Sequence, residues 1–218
     1  MATFHLFGRP GWGSAIVEAQ LSALGVVFDY EEVPDLFTSD EGRKSLSQHN
    51  PLPQVPTLLL PDGSVMTESA AITLYLADAT SRSDFVPDAK HPSRPQFLRW
   101  LVFLVANVYP TFTYADVPMR FVSDELAAKA FRKSIDEYQC NLWRIVESAA
   151  GAPWFLGEQF SALDIYIATM AHWRPGKAWF AENTPSLDAI ARRVCADLQF
   201  RTVWEHNFPN DLLPQIYS

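Results

Sequence analysis

The sequence predicts an α/β domain followed by an all-α helical bundle. Three observations carry that reading. Over the first eighty residues, short apolar runs of strand length alternate with helical patterns, in the order β-α-β, connector, β-β-α. A polar stretch over residues 81–95, holding Pro87, Pro92 and Pro95, then interrupts the periodicity as a linker would. Beyond it the strand signals vanish, and residues 97–108, 124–149, 161–173 and 187–198 all carry helical spacing. The expected division is therefore 1–80 for the α/β domain, 81–95 for the linker and 96–218 for the helical domain.

The elements follow in order. Residues 3–7 form an apolar run of strand length, closed by the turn Gly8-Arg9-Pro10-Gly11-Trp12-Gly13. Ser14 then suits a helix N-cap, and residues 15–24 place a wide apolar arc at helical spacing, with Gly25 at the stop. Residues 26–33 alternate with acidic residues and read as a second strand, and 39–47 as a polar helix or an irregular connector. Residues 57–60 read as a strand, Pro61-Asp62-Gly63-Ser64 as a hairpin turn, 65–67 as a short strand and 68–78 as a helix.

Composition narrows the function. The net charge of -8 and the absence of any basic run argue against a nucleic-acid partner, which needs clustered Lys and Arg. No window approaches the roughly 20 apolar residues that span a bilayer, and residues 1–8 lack the pattern of a leader peptide. Cys140 and Cys195 are the only cysteines and form no C-x-x-C pair, so no disulfide framework is expected and the cytoplasm is the expected compartment.

Two short motifs carry chemistry. Val55-Pro56 stands between a connector and a strand. It is either a trans proline that merely starts the strand or a cis bond. The cis form would turn the Val55 backbone toward an extended peptide. Glu68-Ser69 opens a helix, where N–H groups and a hydroxyl hold a carboxylate and an adjacent acid pairs with an ammonium group. An ordinary helix start with an acidic first turn would look the same.

Taken together, Asn50-Pro51-Leu52-Pro53-Gln54-Val55-Pro56-Thr57-Leu58, Asp62-Gly63, Glu68-Ser69-Ala70-Ala71-Ile72 and Tyr75-Leu76-Ala77-Asp78 resemble the glutathione transferase N-terminal domain. In the helical half, Phe155-Leu156-Gly157 and Ser161-Ala162-Leu163-Asp164 match the S/T-x-x-D box that caps the central helix of the family's second domain. The sequence is thus similar to a cytosolic, bacterial-like glutathione transferase of no obvious standard class. The resemblance implies a thioredoxin-like α/β domain, an all-helical second domain, glutathione as co-substrate, a hydrophobic electrophile as second substrate, and a homodimer. It also implies site roles. Val55 would bond the cysteinyl backbone of glutathione, with Pro56 as cis-proline. Glu68 and Ser69 would hold the γ-glutamyl end. Gln54 would reach the glycyl or cysteinyl part, with His49 and Gln48 as candidates for the glycyl carboxylate.

The catalytic donor is less standard. The family lowers the thiol's pKa, ordinarily about 8.5, with a Tyr at the end of the first strand or a Ser or Cys in the following turn. Here those positions fall on Phe7 and near Gly11 or Gly13, none of which has a donor side chain. Ser14 is the expected donor and Trp12 the second candidate, through its indole N–H or as a pocket wall. The backbone amides of Gly13 and Ser14 and the charge of Arg9 are further contributors. The turn holds no Cys, which disfavours mixed-disulfide chemistry. Trp12, Tyr109, Phe112, Tyr114 and Met119 are candidates for the electrophile pocket or for ordinary core. The expected activity is conjugation of the glutathione thiolate to electrophilic small molecules, with peroxide reduction as a related use. A non-catalytic protein binding glutathione or a hydrophobic ligand is the alternative.

Overall fold

In a computed structural model, which describes residues 3–211, the chain divides into two compact units. The first joins the described residues up to Ser83 with those from Cys195 onward, and the second runs from Asp84 to Val194. The C-terminal residues thus belong with the N-terminal unit, a grouping that differs from the chain-order division at 96–218.

The first unit is built on a four-stranded sheet in the order β2-β1-β3-β4. β1 (Phe4–Gly8) is central. It pairs in parallel with β2 (Phe28–Glu32), matching Phe4 to Phe28, and antiparallel with β3 (Thr57–Leu59), matching Leu6 to Leu58. β4 (Val65–Met66) closes the edge against β3. Parallel pairing of β1 with β2 requires a crossover, and α1 (Ser14–Ala23) supplies it.

Alternation along β1 sends successive side chains to opposite faces. Leu6 packs with Val17 and Leu21 of α1 and with Ile72 and Leu76 of α3 (Ser69–Thr80). Phe7 points the other way, into a cluster with Val33, Leu36, Leu46 and Val55, against which Trp12 also packs. Gly8 has no room for a side chain, since a Cβ there would lie 2.7 Å from the Tyr30 ring. The stretch open between helix and connector is a helix, α2 (Asp40–Leu46), capped by the Ser39 hydroxyl, which accepts from Gly42 N–H at 2.9 Å. The hairpin turn forms as expected, with Gly63 at φ +87° and Asp62 Oδ1 accepting from Ser64 N–H.

The second unit is helical. α4 (Arg94–Phe103) runs through a π-helical turn (Leu104–Val108) into α5 (Tyr109–Asp116). The π turn ends at Val108, two residues before Pro110, which has no N–H to give the regular ladder. The helical pattern therefore continues past the expected end at 108. α6 (Glu125–Glu147) and α7 (Ala162–Met170) match the expected helices. α8 (Lys177–Asn183) does not, because seven residues are too few to carry a clear periodicity. Every residue of α7 is buried, as a helix apolar on all sides requires. Its N-terminus carries the expected capping box, in which Ser161 N–H donates to Asp164 Oδ2 at 2.7 Å. Asp164 also accepts from Phe155 N–H at 2.8 Å. α9 (Pro185–Ala196) begins on Glu147, whose carboxylate accepts from Ser186 N–H and Leu187 N–H at 3.0 Å each. Phe85 and Val86, expected in the linker, are buried in this unit, and Phe85 C=O accepts from Ala162 N–H at 2.9 Å.

α10 (Arg201–Asn207) returns to the first unit and packs on α1. Among the described residues no helix is long and apolar enough to cross a membrane, and neither Cys140 nor Cys195 is in a disulfide.

Candidate functional site

The loop from Asn50 to Thr57 is held from within. Asn50 is buried, and its amide Nδ2 donates to Gln54 C=O at 3.3 Å and to Thr57 Oγ1 at 3.1 Å. Its Oδ1 accepts from Leu52 N–H at 3.1 Å, and Thr57 Oγ1 donates to Gln54 C=O at 2.8 Å. These bonds satisfy the Gln54 carbonyl and leave its side chain exposed. The Val55-Pro56 peptide bond is cis. Among the described residues, neither the N–H nor the C=O of Val55 has a hydrogen-bond partner, although the side chain is buried. An unpaired backbone donor and acceptor on one residue is the requirement for pairing with an extended peptide.

Glu68 stands immediately before α3 with φ 64° and ψ 103°, one of two non-glycine residues with positive φ among those described. Such a conformation costs about 1–3 kcal/mol in a residue with a Cβ. Its side chain makes no capping bond, is exposed, and has no ionic partner among the described residues. Ser69 follows at the helix N-terminus, half-buried. Thr73 Oγ1 donates to Ser69 C=O at 2.8 Å and lies 3.0 Å from the Gln20 side-chain amide, which ties the start of α3 to α1.

The turn before α1 overturns one expectation. Gly13, not Ser14, is the N-cap, and Ser14 is the first helical residue. Ser14 is 0% exposed. Its hydroxyl donates to Arg9 C=O at 3.1 Å and accepts from Arg9 N–H at 2.9 Å. A hydroxyl has one proton to give, and here it is spent on the backbone five residues earlier. Ser14 thus closes the turn on Arg9. The N–H groups of Gly13 and Ser14 have no backbone partner among the described residues.

Trp12 is half-buried, with its ring 4.7 Å from Phe37 and the Arg9 guanidinium 5.5 Å above it. Its indole N–H has no partner among the described residues, so it is the side-chain donor left in the turn. Arg9 Nη1 donates to Val33 C=O at 3.1 Å, and the guanidinium lies 3.9 Å from both Glu32 and Asp35. Those carboxylates offset its positive potential. His49 is exposed and stacks on Phe7 at 4.8 Å.

The fold therefore gathers Trp12, Val55 and, through Phe7, His49 around one apolar cluster. In the second unit, Tyr109 and Phe112 form an edge-to-face group with Trp173, while Tyr114 meets Phe121 and Met119 is exposed.

Several positioning residues escape a reading of motifs. Asn50 had a signal, as the first residue of the recognisable stretch. Glu18 and Asn207 had none, since they meet across 189 residues. Beside them, Tyr30 is pushed well above the usual phenol range by burial and then by the Glu18 carboxylate.

Fold and site define a thioredoxin-like domain with a cis-proline loop whose Val55 backbone is unpaired among the described residues, joined in one chain to a helical unit. The model of the glutathione S-transferase N-terminal domain matches residues 15–79. The chain is 39% identical over 203 residues to the GST-like protein YncG of Escherichia coli (strain K12), covering 93% of this chain and 97% of that one. Among solved structures, it is similar to a sulfitobacter glutathione transferase homolog with bound glutathione, at TM-score 0.84 and 21% identity, covering 94% and 98% of the two chains. It is also similar to a sphingomonad glutathione S-transferase complexed with glutathione, at TM-score 0.74 and 26% identity, covering 92% and 97%. The chain belongs to the glutathione S-transferase family.

Proposed function

We propose that this protein binds glutathione and conjugates its thiolate to electrophilic small molecules. The observation that carries the reading is Glu68. A strained backbone at an exposed, unpartnered carboxylate beside a helix N-terminus serves no packing purpose. It suits the α-amino acid end of a γ-glutamyl group, whose ammonium pairs with Glu68 and whose carboxylate meets Ser69 and the amides of α3. The cysteinyl backbone then pairs with Val55, and Pro56 shapes its approach. Gln54 and His49 are placed for the glycyl end.

With the peptide so held, the thiol reaches the turn at the start of α1. The Ser14 hydroxyl is committed to Arg9, so stabilisation of sulfur falls to the backbone N–H groups of Gly13 and Ser14 and to the Trp12 indole N–H. Such donors favour the thiolate over the thiol, and each unit of pKa depression is worth about 1.4 kcal/mol. The thiolate attacks the electrophile, forms the new carbon–sulfur bond and expels the leaving group, or adds to an activated double bond. A homodimer in the cytoplasm completes the reading.

Two measurements test it. Immobilised glutathione should retain the wild-type protein, and the thiolate absorbance of bound glutathione should rise at a pH about one to two units below that of free thiol. Glu68→Gln should weaken glutathione binding roughly tenfold, the worth of a charge-assisted hydrogen bond. Binding with an unshifted thiol would reduce the protein to a glutathione binder. That outcome has some footing in Phe7, Gly11 and Gly13, which have no donor side chain at the positions where the resemblance implies one. Binding unchanged in Glu68→Gln would refute the ammonium pairing.

A further inference from the structure

The thiolate-activating turn is not held by its own strand and helix alone. Asn207, the last residue of α10, is 5% exposed and reaches the turn directly. Its Oδ1 accepts from Gly11 N–H at 3.1 Å. Its Nδ2 donates to Glu18 Oε2 at 2.8 Å and to Val203 C=O at 2.9 Å. The chemistry of the neighbours orients the amide. Gly11 presents a donor and must face the oxygen, whereas a carboxylate and a carbonyl must face the nitrogen. Glu18 is fixed in turn, since its other oxygen meets His206 Nδ1 at 2.9 Å. Gly11 has φ +77°, and a Cβ there would come 3.3 Å from Asn207 C=O. A Cβ at that positive φ is strained and crowds the end of α10, so glycine is favoured there.

One side chain therefore grips the turn at Gly11 and α1 at Glu18. The unpaired amides of Gly13 and Ser14 and the indole of Trp12 lie between those two anchors. Donors aimed at a developing or resident anion act only if they are already in place, and a misplacement of about 1 Å erodes the effect severely. We propose that Asn207 is a positioning residue for thiolate formation, acting on sulfur through the Gly11 and Glu18 ends of the turn. The inference rests on the glutathione reading above. It assigns to the C-terminal helix a part in activation that is separate from the binding loop at Val55 and Glu68.

The test uses the whole protein with glutathione as the probe. Thiolate absorbance against pH, glutathione affinity and thermal midpoint are measured in the wild type, Asn207→Ala, Asn207→Asp and the double variant Glu18→Gln/Asn207→Asp. Asn207→Ala should keep glutathione affinity within about threefold, because the binding loop is untouched. It should move the thiolate midpoint up by about one pH unit, a tenfold loss of thiolate. Asn207→Asp sets two carboxylates against each other and should shift the midpoint at least as far. Adding Glu18→Gln restores a donor facing an acceptor and should bring the midpoint back toward the wild type.

A merely structural Asn207 would lower the thermal midpoint and leave the thiolate midpoint where it was, and that result overturns the proposal. Should Asn207→Ala not fold, the Asp pair decides. A double variant no nearer the wild type than Asn207→Asp alone also overturns it. A wild type that binds glutathione without lowering its thiol overturns both this inference and the catalytic reading. A normal wild-type shift that survives in Asn207→Ala overturns this inference only.

Discussion

Asp164 offers the most quantitative test of how the helical unit is built. Its carboxylate is fully buried and accepts from Phe155 N–H, Ser161 N–H and, at 3.2 Å, the Ser161 hydroxyl. Burial nevertheless wins, and the group titrates at about 6 against an ordinary 3.8. The folded state then binds more protons than the unfolded chain between those values. This contribution to stability is fully present below the unfolded pKa and is lost as pH rises through about 6. At about 1.4 kcal/mol per unit, the whole effect is about 3 kcal/mol, of which about 2 kcal/mol falls between pH 7.5 and pH 4.5. Asp164→Asn removes the titration. It also leaves one of two buried N–H donors facing an NH₂ group, at a cost of about 1–3 kcal/mol. The variant should therefore be less stable than the wild type, with a gap that narrows by about 2 kcal/mol from pH 4.5 to pH 7.5. Urea unfolding of both proteins at three pH values in that range, followed by tryptophan fluorescence, measures the gap. A gap that stays constant or widens with pH would refute the assignment of burial as the dominant cause.

Two further substitutions probe the first unit. Ser14→Ala strips Arg9 N–H and C=O of their hydroxyl partner and should cost about 1–3 kcal/mol by calorimetry. Because that hydroxyl is not free to meet sulfur, the thiolate midpoint of bound glutathione should move by less than half a pH unit; a full return to the free-thiol value would restore Ser14 as the donor. Asn50→Ala unties Gln54, Leu52 and Thr57 and should raise the KM for glutathione about tenfold while kcat changes little, the pattern of a loosened binding loop. A fall in kcat at constant KM would contradict it.

The legible part of this protein was local. Apolar runs of strand length at residues 3–7 and 57–60, helical spacing in α1 and α6, and the Ser161–Asp164 box each depend on neighbours a few residues apart, and strands, helices and box form there within a residue or two of the expected ends. The Asn50–Asp78 stretch was legible for the same reason, since Asn50 and Thr57 bond backbone within their own segment. Ser14 reads as a donor from sequence because a hydroxyl at a helix start has more than one use, and its bonds to Arg9 N–H and C=O are visible only in the structure. α8 and α10 are short, and the π turn answers a proline inside an otherwise regular pattern, so none left a clear periodic trace.

By itself, then, the sequence determined an α/β domain followed by helices, and a glutathione transferase resemblance. The order of elements follows from short-range periodicity, turn chemistry and capping. Tertiary structure alone decided that Ser14 closes a turn, that Val55 and Trp12 share one apolar cluster, and that the chain from Cys195 onward belongs with the first unit. The physical reason is sequence distance. Asn207 meets Gly11 across 196 residues and Glu18 across 189, and no local pattern records a partner so far along the chain.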